Sequence, residues 1–399
     1  MMRRSVDCLA RVIATVLTAA PFFCAGARAD PVAGVGVAGN VEYSNNPFLL
    51  NTTNTGAVRA RVTVSPFIED RTARSSLRVS GDASFSAYNR RYRDAIDLAT
   101  QVGYSNRLSQ HFSVRAGVSL NSSIGSSYNL SPIFEPPSTT NPVPRIIDIT
   151  VIGFQERSTQ AQASAGLSYS IDDRNSISLG YDGSVVRYPT SVGRSEYSNL
   201  RQNVSYSRIL NSRINIGASV SVSRVNYFGG PLGDAVIISP SLDGTFRLAS
   251  HWTLTAGLGF SSSRVDIGVG KLKSTDLSGS LSLCRSDTRT NFCLSSSRGT
   301  AASSFDGVRT TSTVGISYSY RINAHDSLSA SGGYSRSSAP QRVLIGTATD
   351  YLSAATSFSR RFSDRMTGQI TGGFSRSSFE GSRSSAFASI GINYSFGNR

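Results

Sequence analysis

The sequence predicts an all-β protein, a transmembrane antiparallel β-barrel of about 16 to 18 strands, most closely 18. Three observations predict this class. Apolar residues alternate with polar ones along nearly the whole chain, short and long connections alternate between these segments, and the chain lacks a second long apolar run after its N-terminal one. The first two features are typical of strands with one apolar face, and the third excludes a helical membrane protein.

The N-terminus has the pattern of a secretory signal peptide. A basic segment, Met1–Arg11, precedes an apolar run, Val12–Phe23, and the small residues of Ala27-Arg28-Ala29 follow. The run is about a dozen residues long, whereas a membrane-spanning helix needs about 20. A lipoprotein processed at Cys24 is an alternative, although Phe23 is bulky for that processing. We expect cleavage of residues 1–29, which leaves residues 30–399 as a single barrel domain.

The alternation has a period of two residues, as in a strand with one apolar face. In the second segment Val58, Ala60, Val62 and Val64 share one face, and arginine and threonine occupy the other. The segments run, in chain order, over 35–43, 58–64, 77–85, 96–104, 112–120, 161–169, 177–181, 200–206, 214–222, 236–246, 252–260, 277–283, 292–294, 314–318, 328–334, 352–358, 366–374 and 386–396. Most of them are near the ten or so residues that a tilted membrane strand needs.

The connections fall into two classes that alternate along the chain. Short turns are predicted at 106–111, 172–175, 211–213, 249–251, 286–290, 323–327 and 361–364, and longer loops at 45–57, 121–156, 264–273 and 337–349. Short periplasmic turns and longer extracellular loops are typical of outer-membrane barrels.

Aromatic residues on the apolar faces sort by strand end. One group lies beside the short turns or the C-terminus, namely Tyr104, Phe112, Tyr169, Tyr206, Phe246, Trp252, Phe292, Tyr318, Phe358 and Tyr394. Phe85, Phe260, Tyr334 and Phe374 lie at the opposite strand ends. Two aromatic belts at the two membrane interfaces are expected for a barrel.

A sheet in hydrocarbon must close, because every unpaired backbone group there costs several kcal/mol. The first and last strands should therefore pair. A secreted β-solenoid or repeat-built adhesin is the alternative for such serine- and glycine-rich strands. We find no fixed repeat of about 20 to 50 residues, which that class requires.

The last strand, Ala386–Phe396, resembles the C-terminal strand that marks bacterial outer-membrane proteins for insertion. Its aromatics Tyr394 and Phe396 are the candidate assembly signal, although Gly397, Asn398 and Arg399 follow where that strand normally ends. The resemblance implies a location in the bacterial outer membrane and the barrel assembly machinery as a partner.

The beginning of the barrel resembles a known family. Asn40–Phe48, Ser65-Pro66 and Leu77–Tyr92 are similar to the start of an outer-membrane β-barrel porin family associated with bacterial exopolysaccharide export. The similarity covers roughly the first hundred mature residues. It implies a barrel in the Gram-negative cell envelope through which, or beside which, a polymer leaves the cell, with polysaccharide-export components as partners.

The positions that face away from lipid are small and polar, and a barrel of about 18 strands is wide enough for an aqueous channel. The charged residues among them are Arg59, Arg61, Arg78, Arg115, Arg201 and Arg247, with Asp82, Asp97, Asp182, Asp243 and Asp276. Arginine can donate two hydrogen bonds at once to a carboxylate or a phosphate group. These residues predict either a pore that prefers anionic or hydroxyl-rich solutes, or arginine–aspartate pairs that neutralise each other and fill volume.

The longest connection, 121–156, carries five prolines together with Glu135, Arg145 and Asp148. Loops of this length are usually functional. As the third outer loop it resembles the one that narrows general porins, which makes these three residues constriction candidates. Alternatively, part of it extends the adjacent strands above the membrane.

Catalysis is not predicted. His111, His251 and His325 all lie in predicted periplasmic turns, whereas barrel hydrolases work from the outer rim, and no Cys/His cluster suggests a metal or cofactor. Cys284 and Cys293 flank one short turn with the same parity. A disulfide across this hairpin is expected, and two free thiols are the alternative.

The formal net charge is +15, with lysine only at positions 271 and 273 of the chain. Arginines near the predicted outer rim are Arg90, Arg91, Arg93, Arg194, Arg264, Arg309, Arg336, Arg376 and Arg383. They are expected to bind lipopolysaccharide head groups at the membrane surface. Genome composition is an alternative explanation for arginine over lysine, and no nucleic-acid partner is predicted.

The sequence therefore predicts a passive porin-like channel for hydrophilic solutes, or an exporter of a polysaccharide that could be anionic. The alternative is a non-conducting barrel that serves as a structural or docking component of an envelope or exopolysaccharide assembly.

Overall fold

The computed structural model describes residues 31–124, 156–188, 195–228, 233–266, 270–304, 307–338, 348–378 and 381–397. The predicted signal peptide lies outside these ranges. The described residues form eighteen strands: β1 (Val32–Ser44), β2 (Ala57–Arg71), β3 (Ser75–Tyr88), β4 (Ala95–Arg107), β5 (Phe112–Ile124), β6 (Arg157–Ser170), β7 (Asn175–Arg187), β8 (Glu196–Asn211), β9 (Ile214–Phe228), β10 (Ala235–Arg247), β11 (Trp252–Asp266), β12 (Lys271–Ser286), β13 (Thr290–Ser303), β14 (Gly307–Arg321), β15 (Asp326–Ser338), β16 (Thr349–Arg361), β17 (Met366–Ser377) and β18 (Arg383–Gly397).

The eighteen strands form one closed antiparallel sheet in which each strand pairs with its neighbours in the chain. The ring closes between the first and last strands, where Val41 lies opposite Ile390 and Gly34 opposite Gly397. The predicted barrel and its closure are confirmed. Among the described residues there is no helix long and apolar enough to cross a membrane.

The outer face of the ring is apolar because most of the large hydrophobic residues of the strands point away from the lumen. Leu242 of β10 lies opposite Leu258 of β11, and these side chains are 69% and 64% exposed. Leu277 on β12 is 64% exposed as well. A continuous apolar surface of this kind is unfavourable in water and favourable against lipid chains. The barrel is therefore built to span a membrane.

Aromatic rings end the apolar face near the short turns. Trp252 begins β11 with its ring 6.4 Å from that of Phe292, and Tyr394 and Phe396 on β18 have ring centroids 4.5 Å apart. Phe396 is 52% exposed. These positions fit the predicted periplasmic belt, where amphipathic rings are favoured.

The short turns are closed by local side-chain hydrogen bonds. Asp172 accepts from the backbone N–H groups of Arg174 (2.7 Å) and Asn175 (2.8 Å). The side-chain amide of Asn175, followed by the Arg174 N–H, holds the pKa of Asp172 below its ordinary value of 3.8. Such acceptors fix tight turns and thereby the register of each hairpin.

The disulfide candidates lie in the β12–β13 hairpin. Cys284 lies directly opposite Cys293 and Arg285 opposite Phe292, which is the register expected from their parity. The two Sγ atoms are bonded at 2.11 Å. The bond links two strands that are already paired, so its role is structural.

The β1–β2 loop is held down by the β3–β4 loop at the other end of the barrel. Arg91 donates to the carbonyl oxygens of Thr53 (2.8 Å) and Asn54 (2.9 Å). The Tyr92 hydroxyl donates to Thr55 O at 2.6 Å, and burial raises the pKa of this tyrosine. Phe48 of the β1–β2 loop packs against the rings of Tyr88 and Tyr92, which fixes one side of the extracellular mouth.

Candidate functional site

The candidate site is the lumen, whose wall consists largely of hydroxyl groups and small side chains. Neighbouring strands are linked by serine pairs such as Ser76–Ser105 (2.9 Å) and Ser219–Ser241 (2.8 Å). These hydroxyls keep spare hydrogen-bonding capacity, because each can donate once and accept twice. The wall therefore favours water and hydroxyl-rich solutes over a packed core.

Two inward phenylalanines have their rings close against glycines of the wall. A Cβ on Gly34 would fall 2.6 Å from the Phe67 ring, and a Cβ on Gly373 would fall 2.5 Å from the Phe387 ring. The glycines thus provide room for rings that would otherwise project into the channel.

The charges on β1 to β4 are mostly paired. Arg59 donates to Glu42 at 3.1 Å, and both side chains are about 5% exposed. Arg61 donates to Ser84 at 2.7 Å and lies 3.9 Å from Asp97. In this part of the wall, Arg59 and Arg61 both have acidic partners. The hypothesis of arginine–acid pairs that neutralise each other therefore fits better here than the hypothesis of an unpaired cationic surface.

A second group of charges lies lower on the same wall. Glu69 accepts from Arg71 and lies 3.8 Å from Arg78, whose guanidinium also lies 5.7 Å from the centre of the Phe67 ring. Arg78 remains 59% exposed despite this pairing. The acids Glu42 and Glu69 were not among the predicted pore residues, although both have lumen-facing parity in the sequence.

The remaining candidates are spread around the ring. Asp82 is exposed and accepts from Ser65 at 2.5 Å, and Arg115 is an exposed residue on β5. Asp182 lies directly opposite Arg201 on β7 and β8. Asp243 accepts from Ser241 at 3.1 Å on β10. These candidates all have lumen-facing parity, but they are not brought together into one cluster.

The upper part of the β13–β14 hairpin leaves the barrel wall, and we call this part the inward hairpin (residues 299–304 and 307–310). β12 pairs with β13 only from Ser286 opposite Asn291 up to Gly279 opposite Arg298. β13 and β14 remain paired with each other beyond that point, up to Ser303 opposite Gly307. The hairpin therefore leaves the wall at the level of Arg298.

Its contacts show that it folds into the barrel. Val308 is 2% exposed and packs in one cluster with Val225, Ile237 and Val265, which face the lumen from β9, β10 and β11. The backbone N–H of Ser195, the residue before β8, donates to Ser304 O at 2.7 Å. The inward hairpin thus lies over the inner surface of β9, β10, β11 and β12 at the extracellular end.

Lumen-facing side chains on β15 and β16, the strands that follow the inward hairpin around the ring, are also buried at the same end. Tyr351 on β16 is 1% exposed, and Ser335 and Thr349 beside it are fully buried. Lumen-facing residues nearer the periplasmic end, such as Ser329, Gln369 and Arg115, are exposed. Among these described residues, the lumen-facing side chains are more buried at the extracellular end than at the periplasmic end.

Four predicted residues lie outside the described part of the chain, namely Glu135, Arg145, Asp148 and Arg194, and two predicted rim arginines are corrected. Arg309, predicted at the outer rim, instead faces inward, is 2% exposed and donates to Ser337 Oγ and O, both at 2.9 Å. The parity of β14 favours this, because Arg309 alternates with the outward Val314 and Ile316. Arg383 has inward parity on β18, where it lies opposite the buried Ser377, and it donates to Leu49 O at 3.3 Å.

The histidines lie in the short turns, as predicted. His111 Nδ1 lies 2.9 Å from Ser170 O, and His251 Nδ1 lies 3.2 Å from Ser286 O, so each ring is anchored to a neighbouring strand end. Within the described ranges, no group of three histidine, cysteine, aspartate or glutamate side chains could hold a metal ion.

Comparison with solved structures identifies the same architecture. The chain superposes on OccK9 (OpdG) of Pseudomonas aeruginosa with a TM-score of 0.51 and 11% identity, over 92% of this chain and 99% of that one. It is also similar to OpdL of Pseudomonas aeruginosa (TM-score 0.46, 12% identity, 93% and 99% covered). A BenF-like porin from Pseudomonas fluorescens Pf-5 gives a TM-score of 0.48 at 10% identity, with 92% and 99% covered.

No family model matches the sequence, and no curated protein matches it. At such low identity the likeness shows the fold alone. The chain has the 18-stranded barrel fold of Gram-negative outer-membrane porins, and this fold supports an outer-membrane location.

Proposed function

We propose that the protein is a passive outer-membrane channel for small hydrophilic solutes. The main support is that one closed sheet has two different faces. Exposed leucine, valine and isoleucine side chains cover its outer face, and serine and charged side chains cover its inner face. Such a ring pairs its backbone groups without water, and an 18-stranded ring is wide enough to hold a water-filled lumen.

The lumen carries both positive and negative side chains, which favours polar solutes. Arg59 and Arg61 are paired with acids in the outer half, whereas Arg78 and Arg115 are exposed in the periplasmic half. A solute would therefore meet a neutralised entrance and then a cationic section. We expect a mild preference for anions over cations.

Single-channel recording in planar bilayers tests the proposal. Purified barrel should give discrete current steps, with a reversal potential in asymmetric KCl that indicates anion preference. Absence of steps from a barrel whose heat-dependent gel mobility shows it to be folded would refute the channel.

Export of a polysaccharide is a narrower proposal. It rests on the resemblance of Asn40–Phe48 and Leu77–Tyr92 to the export-associated family. A deletion strain tests it: loss of secreted polymer with unchanged uptake of small solutes would support export, and unchanged polymer secretion would exclude it.

The second candidate function is a barrel that does not conduct and serves as a docking or structural component of the envelope. It is favoured by the outer half of the barrel, where Tyr351 and Val225 face the lumen with 1% and 0% exposure. The same recording separates the two candidates, because a sealed barrel passes no stable current.

We further propose that outward arginines contact lipopolysaccharide at the outer rim. Arg264, which lies opposite Lys273, and Arg336 and Arg376 are exposed near the ends of their strands. Phosphate oxygens are suitable acceptors for such side chains. Co-purified lipopolysaccharide should fall when all three arginines are replaced by glutamine.

A further inference from the structure

A cavity of about 470 Å³ lies at the periplasmic mouth, between the β2–β3 turn and the β4–β5 turn. The Arg107 N–H donates to Arg74 O at 2.8 Å, which ties the end of β4 to the neighbouring turn. The Ser170 N–H donates to His111 O at 2.7 Å and ties β6 to the next turn. Backbone hydrogen bonds between neighbouring strand ends and turns therefore hold the cavity on both of its sides.

The lining carries positive charge without a carboxylate. Its cations are Arg71, Arg74, Arg107 and Arg115, and none of its residues is aspartate or glutamate. Arg71 shares its charge with Glu69 just outside the cavity. Four arginines thus line one volume and at least three of them have no carboxylate partner within the lining, so a bound anion would be attracted by their positive charge.

Neutral donors complete the lining. Ser76 and Ser105 both contribute hydroxyl groups, which lie 2.9 Å from each other. The carbonyl of Ser170 can only accept, so the His111 ring donates to it through Nδ1. A ligand can therefore meet charged donors and hydroxyl groups in the same cavity.

The wall next to the cavity leaves room for a ligand. Arg115 lies opposite Gly166 on β6, and Arg78, one level higher, lies opposite Gly103 on β4. The absence of side chains at these two positions keeps the arginines accessible from the lumen.

We propose that this cavity is a binding site for small polyvalent anions, such as solutes that carry two or more carboxylate or phosphate groups. A guanidinium group can donate two parallel hydrogen bonds to the oxygens of a carboxylate or a phosphate. Several guanidinium groups in one site favour a ligand with more than one anionic group. The site binds such a solute at the periplasmic end of the lumen. This goes beyond the proposed channel function and does not depend on conduction.

The test is isothermal titration calorimetry on the folded barrel in a neutral detergent, with citrate and inorganic phosphate as separate probes. The test variant is Arg74→Gln with Arg107→Gln, two arginines of the cavity lining that are joined by the Arg107 N–H to Arg74 O hydrogen bond. The matched control is Arg321→Gln with Arg289→Gln, because the Arg321 N–H donates to Arg289 O at 2.8 Å in the same arrangement, outside the cavity.

We expect citrate to bind the wild type, with an affinity at least about tenfold lower in the test variant and unchanged in the control. Phosphate should bind more weakly than citrate, because it engages fewer guanidinium groups. Heat-dependent gel mobility confirms that each variant is folded. No citrate binding to the wild type, or equal losses in both variants, would overturn the site, whereas a barrel that binds citrate without conducting would refute only the channel.

Discussion

The hydroxyl of Thr310 on β14 donates to Asp276 on β12 at 3.2 Å, although β13 separates these strands in the barrel. Thr310 has outward parity and Asp276 has inward parity. They can meet only because the inward hairpin has left the wall and placed its outer face against the inner face of β12. Asp276 also lies 3.8 Å from Arg298, where β13 departs.

We predict that Asp276→Ala loosens the inward hairpin and raises the conductance. The change removes the contacts of Asp276 with both Thr310 and Arg298, whereas Val308 and its apolar neighbours remain. Single-channel recordings should show larger or more frequent open states than in the wild type. The control is Asp243→Ala, which removes the same charge from the lumen wall on β10 without an observed contact to the hairpin. Equal changes in both variants would indicate an effect of lumen charge alone.

We predict that Arg59→Met strongly destabilises the barrel. Glu42 would be left as a buried charge without this partner, at a cost of about 3 to 5 kcal/mol. Arg78→Met removes the same side chain from an exposed site and should cost about 0 to 1 kcal/mol. Urea unfolding in lipid vesicles measures both. Adding Glu42→Gln to Arg59→Met should recover part of the loss, and no recovery would mean that lost packing dominates.

The strands and the ring could be predicted from the sequence because the membrane imposes them. A period of two shows which side chains face lipid, and the need to pair every backbone group forces closure. The opposition of Cys284 and Cys293 followed from parity and a short turn, which leave few registers.

The inward hairpin could not be predicted in the same way. Ala302 and Val308 continue the alternation of the lipid-facing residues below them, so the sequence pattern does not change where the strands leave the wall. The strands leave the wall where the pairing between β13 and β12 ends, and this feature is visible in the structure but not in the sequence pattern. Likewise, the pairing of Glu42 with Arg59 depends on the register between β1 and β2. The long loop between these strands is compatible with several registers, so the sequence alone does not predict this pair.

We predict that Asp172 makes one periplasmic turn sensitive to acid. Its pKa is lowered in the folded state, so its stabilising effect is present above the ordinary value of 3.8 and is lost as the pH falls through the lowered pKa. Hydrogen-exchange protection of the Arg174 and Asn175 amides should fall in that range. Asp172→Asn retains an acceptor oxygen and should remove the pH dependence. Persistent dependence in this variant would assign it to another group.

We predict that thiol labelling of the mature protein depends on reduction. The bond between Cys284 and Cys293 should prevent maleimide labelling in denaturant, and two labels should be added after reduction. Loss of both cysteines to serine should cost about 2 to 3 kcal/mol, near the lower end for disulfides because the loop is short. Labelling without reductant would show that the thiols are free.

We predict that Gly373→Ala destabilises the barrel and that Gly372→Ala does not. A Cβ on Gly373 would lie 2.5 Å from the Phe387 ring and 2.8 Å from Ala354 O, so the ring has to move into the lumen. Overpacking of this kind costs about 1 to 3 kcal/mol. A Cβ on Gly372 meets only Phe387 O at 3.8 Å, an ordinary contact. Urea midpoints in lipid vesicles should separate the two variants, and adding Phe387→Leu to Gly373→Ala should restore part of the stability. If both alanine variants unfold at the same urea concentration, the ring does not depend on the glycine beneath it.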